Sequence, residues 1–265
     1  MNELLRFAKK VHRDEIWNIA AQLSYYLLLS FFPLMIAIVS LLDYYPEGVT
    51  LLMKELEKIL PEISYQLISE NMRVFSGLNG GMFSVGFVST LWVATKGSKA
   101  IYRSLNRGYD AVGTRHFFTV YLISFCITLS LILFIVVSLL VILLSNHFIL
   151  HYISNSHVIF VFSQLRIWGM FFVFVLALTA MYALVPRIKL KFRQVLPGAV
   201  VATVLWIVCT VGFEIYVNNF GNYTVVYGTL GGFVVLMLWL YLVSFSLLLG
   251  NEINAFLYQN QERKL

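Results

Sequence analysis

Six long apolar runs are separated by connections that alternate between strongly basic and base-poor, and no other feature constrains the chain as tightly. A helix crosses the hydrocarbon core of a bilayer in about 20 residues at roughly 1.5 Å per residue, because the core is about 30 Å thick. Within that core each backbone N–H and C=O must be bonded inside the segment, so a run of this kind is read as a helix. The runs place spans at about 20–42, 82–102, 117–145, 167–185, 195–217 and 228–250. The first has 23 residues without a charge, and the fifth carries a single acid, Glu214. The second is apolar to Thr95 and then turns basic. The expectation is an all-α, polytopic membrane protein forming one transmembrane domain.

Basic residues accumulate on the cytoplasmic side of a membrane protein. The N-terminal segment has Arg6, Lys9, Lys10 and Arg13. The connection after span two has Lys96, Lys99, Arg103, Arg107 and Arg115, and the loop after span four has Arg187, Lys189, Lys191 and Arg193. The intervening connections are different: 43–81 has six acids and three bases, 146–166 has one base, and 218–227 has none. This alternation predicts six spans with both termini in the cytoplasm. The first apolar run is too long for a signal-peptide core and lacks a small-x-small cleavage site, so it is read as a retained helix.

Composition agrees. The chain is 60% hydrophobic and 12% charged, with mean hydropathy +0.81. Soluble domains carry about 25% charged residues. The two cysteines, Cys126 and Cys209, both fall in apolar runs and suggest no disulfide framework. In 43–81, Leu52, Leu56, Ile59, Leu60, Ile63 and Leu67 recur at helical spacing among charged residues. They predict an external amphipathic helical segment, broken at Pro61, that covers the bundle.

Several residues could carry more than packing. Gly77 and Gly81 before span two, and Gly228 and Gly232 before span six, fit the spacing that lets helices approach closely. Lys96, Lys99, Arg103 and Arg107 share one helical face, a solvated flank or a site for anionic lipid headgroups. Counted from Gly232 and Gly81, Glu252 and Lys99 reach a similar depth, so Glu252 is expected to pair with Lys96 or Lys99. Glu214, near the outer end of span five, is a functional candidate that Arg166 could neutralise. Pro33 predicts a kink in span one, where Gln22, Ser24, Tyr25 and Tyr26 add polarity. His147 and His151, with His157 nearby, lack the acidic or cysteine partners of a metal site. No Walker loop is present, and the basic loop 187–193 is explained by topology without nucleic acid. Neither a cofactor nor a catalytic set is expected.

Taken together, particular segments resemble the YihY/virulence-factor BrkB family of bacterial inner-membrane proteins. They are Ala21-Gln-Leu-Ser-Tyr25-Tyr-Leu-Leu-Leu-Ser-Phe-Phe-Pro33, Leu105-Asn106-Arg-Gly-Tyr109, Leu184-Val-Pro186, Leu196-Pro-Gly198-Ala199, Tyr223-Thr-Val-Val-Tyr227-Gly228 and Leu249-Gly250-Asn-Glu252-Ile-Asn254-Ala255. Arg187 stands where an Asn often follows the Pro, and Asn251 where Ala is frequent. The resemblance implies a six-helix protein of the bacterial cell membrane. Some members have carried the label ribonuclease BN, for which these residues provide no phosphodiesterase site. The leading expectation is a transporter or lipid- or envelope-related translocator without its own ATPase. The alternative is a non-transporting scaffold or envelope-integrity factor, and a ribonuclease is a distant third.

The topology is testable in a Cys126→Ser, Cys209→Ser background. A cysteine at position 190 should react with a membrane-impermeant maleimide only in inside-out vesicles, and one at position 155 only from outside. Labelling of 190 from outside, with 155 protected, would reverse the orientation.

Overall fold

The computed structural model describes residues 3–42, 50, 53–54, 56–57, 62, 65–66, 68–70, 81–111, 118–130, 156–220 and 230–262. Among them every regular element is a helix. Helix α1 spans Glu3–Arg13, α2 Ile16–Leu42, α3 Gly81–Gly108, α4 Phe118–Ser130, α5 Ser156–Leu184, α6 Phe192–Phe220 and α7 Gly231–Glu262. Three stretches are long and apolar enough to cross a bilayer: Ile16–Ile36, Phe192–Val217 and Gly231–Glu262. Phe118–Ser130 and Trp168–Leu184 are shorter apolar helices. Each of the six expected spans coincides with one of these helices over its described part, and the remainder of 117–145 lies outside the described residues.

Helix α2 packs on α3 and α7, α7 on α6, and α6 on α5, while α1 touches α2 and α7. One core, centred on Leu23, Leu105, Tyr182, Val195 and Ala202, ties α2, α3, α5 and α6 together. A second joins Met35 of α2 to Leu236 and Leu240 of α7. Met53, Leu56, Tyr65 and Ile68 pack on this second core. All described positions between 50 and 70 are helical, so that part of the amphipathic segment covers the bundle as its spacing predicts. Pro61 and most of the apolar positions named for it lie outside the described residues.

The outward faces are apolar. Trp168, Phe172 and Leu176 form a stripe four residues apart on α5, and Val204, Val208, Val211 and Ile215 form one on α6, all exposed. In water such stripes would drive association; in lipid they are the ordinary outer surface. Hydroxyls inside the helices bond their own backbone: Thr90, Thr128, Thr179, Thr203, Ser244 and Ser246 each donate to the carbonyl four residues earlier. That local bond lets a polar side chain sit in an apolar span without an external partner. Helix α2 continues through Pro33, and Ser30 donates to the Leu27 carbonyl just before it.

Lipid tails are as apolar as leucine, so helix association in a membrane depends on close packing and hydrogen bonds. Helices α6 and α7 approach closely at paired glycines. A Cβ on Gly250 would lie 2.6 Å from both the Ala202 Cβ and the Gly198 carbonyl, and a Cβ on Gly198 would collide with the Gly250 carbonyl. Asn254 seals the crossing: its side chain accepts from the Gly198 N–H at 2.7 Å and donates to the Val195 carbonyl at 2.8 Å. Pro197 lies between them and has no N–H, so Asn254 serves the turn that the proline weakens. One turn earlier Gln194 accepts from the Lys191 N–H at 2.8 Å and returns its own N–H to the Lys191 carbonyl, a reciprocal cap on α6. Tyr182 donates its hydroxyl to the Leu247 carbonyl at 2.5 Å, fastening α5 to the same seam.

Glycine replacement should therefore have opposite signs at two kinds of site. Gly198→Ala and Gly250→Ala should lower the thermal midpoint and folded yield of detergent-purified protein. Gly169→Ala and Gly212→Ala, where a Cβ meets nothing within 4 Å, should be neutral or raise it, since Ala favours helix by about 1 kcal/mol. Equal effects at all four sites would contradict the crossing.

Candidate functional site

Helix α1 carries its apolar side chains Phe7 and Val11 on the face turned to α2 and α7, where Phe7 meets the Phe256 ring edge-on. Lys10 lies on that face too. The helix ends in a reversal: Asp14 donates its N–H to the Lys10 carbonyl at 2.9 Å, and Glu15 takes a left-handed φ of 54°. A non-glycine residue there costs about 1–2 kcal/mol. Arg107 of α3 braces the turn from its Nη1, 3.3 Å from the Asp14 carbonyl and 3.4 Å from Glu15 Oε2. The turn follows directly on Asp14, whose i, i+4 spacing sets its carboxylate beside the Lys10 ammonium.

Helix α3 also ends in a left-handed residue, Asp110 with φ 50°. Its N–H donates to the Arg107 carbonyl and that of Ala111 to the Asn106 carbonyl, the paired bonds of a Schellman cap. The Gly108 carbonyl accepts from outside, from Lys10 Nζ at 2.7 Å and Gln259 Nε2 at 3.3 Å. Asn106 accepts the Arg187 N–H at 2.9 Å, and Tyr102 accepts Arg187 Nε at 3.1 Å, which pins the loop before α6 onto α3.

These ends converge on one ammonium. Lys10 Nζ donates to Asp14 Oδ2 at 2.7 Å, to the Gly108 carbonyl at 2.7 Å and to Glu252 Oε2 at 2.6 Å. An ammonium has three protons, so its capacity is filled. Lys10 is 7% exposed, Asp14 3% and Glu252 1%. Burial pushes the Asp14 carboxyl up, but the hydrogen bonds from Arg13 and Lys10 outweigh it and hold the group below its ordinary range. Arg13, bonded to Asp14 Oδ1 at 3.0 Å, is raised by that bond and also reaches Asp110 at 3.2 Å. Gly108 permits the approach: a Cβ there would lie 2.7 Å from Glu252 Oε1 and 2.9 Å from Asn251 Nδ2. Three buried atoms of the cluster, Glu252 Oε1, Asn251 Oδ1 and the Tyr109 hydroxyl, have no hydrogen-bond partner among the described residues.

Glu252 is thus a buried ion-pair residue, but the pairing expected with Lys96 or Lys99 is corrected: its partner is Lys10. Lys96 is exposed, and Lys99 holds its ammonium over the Tyr121 ring, 2.7 Å from the centroid. The depth count failed because it assumed a common starting level for the two outer glycines. Glu252 packs instead on Gly108, nine residues beyond Lys99 and so roughly 13 Å further along α3. Arg103 is exposed, and Arg107 joins the site through the α1 turn. Glu214 is exposed on α6. Gly81 opens α3 and Gly232 is buried at the start of α7; Gly77, Gly228, the Arg166 side chain, His147 and His151 lie outside the described residues. Among the described residues no three His, Cys, Asp or Glu side chains gather as metal ligands. Lys10, Asp14, Gly108, Tyr109 and Asn251 were not expected at a site. The signal for the first two was their i, i+4 spacing on the apolar face of a short basic helix.

A family model described as Virulence factor BrkB matches residues 7–265. A Bacillus subtilis protein named Putative ribonuclease-like protein YfkH is 35% identical over 249 residues, covering 92% of this chain and 90% of its own. A UPF0761 membrane protein of Photobacterium profundum is 40% identical over 89 residues, 34% of this chain and 28% of that one. Another, of Vibrio vulnificus, is 34% identical over 101 residues, 38% of this chain and 32% of that one. No solved structure matches the chain.

Removing one member of a buried ion pair strands the other, at a cost of about 3–5 kcal/mol, whereas removing both is far milder. Lys10→Met and Glu252→Gln should each lower the thermal midpoint, and the double variant should recover much of the loss. Additive effects would show that the two side chains do not interact. Asp14 adds a pH term: its depressed pKa contributes stability that is present above about pH 4 and lost as pH falls through the folded value.

Proposed function

The chain belongs to the virulence factor BrkB family, and from that premise we propose that it is a multi-pass membrane translocator without its own ATPase, gated at one end by the Lys10–Glu252 pair. The topology proposed with it is six spans with both termini in the cytoplasm, so the gate faces the cytoplasm. The observation that carries this reading is a buried salt bridge at 2.6 Å between a short peripheral helix and the longest helix of the bundle. Desolvation largely offsets Coulomb attraction in such a pair, so it is a poor source of stability and a good switch.

The proposed cargo class is an amphipathic envelope lipid. A groove of about 300 Å³ lies between α1 and α7, lined by Phe7, Ile253, Phe256 and Leu257 with Glu3 as its one charged residue. Its walls belong to the same two helices that the ion pair joins, so opening the pair would widen it. Anionic headgroups at the basic face of α3 are part of the proposal, through exposed Lys96 and Arg103.

The close Gly198–Gly250 crossing favours a second reading, a rigid scaffold. The words ribonuclease-like belong to the Bacillus relative. We propose no enzyme activity and no nucleic-acid partner for this chain.

The test uses proteoliposomes containing a headgroup-labelled fluorescent phosphatidylglycerol, with dithionite to bleach the outer leaflet, with and without an imposed ion gradient. The protein should bring inner-leaflet lipid into reach faster than empty vesicles do. In a Cys126→Ser, Cys209→Ser background, a bifunctional maleimide joining Phe7→Cys to Phe256→Cys should stop this, and the unlinked variant should retain it. If the wild type moves no lipid under either condition, the scaffold reading stands.

A further inference from the structure

The gate contains more unmet oxygen atoms than a closed ion pair requires. Glu252 and Asn251 lie together over Gly108, and Tyr109 is the next residue of α3. All three are more than nine-tenths buried, at 1%, 0% and 7% exposure, and each presents an unpartnered oxygen: Oε1, Oδ1 and the phenol. The Tyr109 phenol is pushed up by its burial and then by the nearby Glu252 charge, which places the ring in the field of that carboxylate. Lys10 has no proton left for Oε1, since its three go to Asp14, Gly108 and Oε2. Lys10 and Arg13 share the carboxylates of Asp14 and Glu252, but of the two Arg13 bonds only Asp14, is 57% exposed and is also drawn to Asp110, so Glu252 has Lys10 as its one bonded cation among the described residues.

We propose that Glu252, Asn251 and Tyr109 bind a small hard monovalent cation, with sodium as its simplest representative. The chemistry of the donors selects this class. All are oxygens, which favours alkali and alkaline-earth ions over transition metals. Only one is charged, while divalent calcium sites are typically built with several carboxylates. A water molecule would satisfy the lone pairs; a monovalent cation would in addition hold the Glu252 carboxylate in its charged form, which burial disfavours. Glu252 then bridges the two positive groups, Lys10 on Oε2 and the ion on Oε1. The ion would load the closed gate, and its role as a coupling ion rests on the translocator reading, although its binding does not.

The experiment measures binding without flux. The thermal midpoint of the detergent-purified full chain is followed at constant ionic strength as N-methyl-D-glucamine chloride is replaced by sodium, lithium or potassium chloride. At least one of these ions should raise the midpoint saturably. Tyr109→Phe removes one oxygen and keeps the ring, and should raise the half-saturating concentration about fivefold or more. Glu252→Gln should abolish the effect; where it folds poorly, Tyr109→Phe decides alone. Tyr216→Phe, on the exposed face of α6, should leave it unchanged. Equal midpoints for the wild type in all four salts would mean that a water fills the site and would overturn the proposal, as would an unchanged half-saturation in Tyr109→Phe. Failure of the lipid assay leaves the binding result standing, and failure here leaves lipid movement untouched.

Discussion

One ammonium group sets the register of three helices. Lys10 is removed from water and surrounded by Asp14, the Gly108 carbonyl and Glu252. Burying a charge costs several kcal/mol unless nearly every donor is matched. That requirement explains features that would otherwise be unrelated. Helical spacing already sets Asp14 beside Lys10, and the left-handed turn at Glu15 ends the helix just after that pair is made. Helix α3 must end where it does, because Gly108 offers a carbonyl, and no side chain, to the incoming ammonium. Helix α7 must continue past the expected membrane edge at 250 to bring Glu252 and Gln259 to the end of α3.

The seam between α6 and α7 follows a different rule. Among lipid chains nothing is gained merely by leaving water, so backbones approach where side chains are absent and polar groups bond across the gap. Gly198, Ala202 and Gly250 supply the first condition and Asn254 the second. Asn254 and Glu252 are two residues apart on one helix, so the apolar crossing and the charge cluster cannot slide independently.

Two of the short segments that carry the family resemblance turn out to be two halves of the site. Leu105-Asn106-Arg-Gly-Tyr109 supplies the carbonyl, the phenol and the loop anchor, and Gly250-Asn-Glu252-Ile-Asn254 supplies the carboxylate and both amides. Their sequence marks them as distinctive without saying that they meet. In the sequence Lys10 is one of four basic residues of an N-terminal flank, where an exposed lysine and a buried one look the same. The amphipathic spacing of Phe7, Lys10, Val11 and Asp14 holds the only local hint of inward placement. The glycines singled out at the outer ends are less informative than Gly198 and Gly250, since spacing cannot say which glycine faces a partner.

By itself the sequence determined the class of solvent and the class of element. Long uncharged runs admit only helices in a bilayer, because backbone bonds must close within the segment, and that argument needs no knowledge of neighbours. It therefore gave the long helices over their described parts, including the continuous run from the apolar to the basic half of α3, but not the short α1. Which residues meet was decided only by tertiary structure. Pairing depends on the tilt, axial offset and rotation of helices far apart in the chain, and 242 positions separate Lys10 from Glu252. An axial offset of nine residues moved the partner of Glu252 from α3 to α1, and no local periodicity contains that offset, because it is fixed by where glycines let backbones touch and where a buried charge finds its counter-charges.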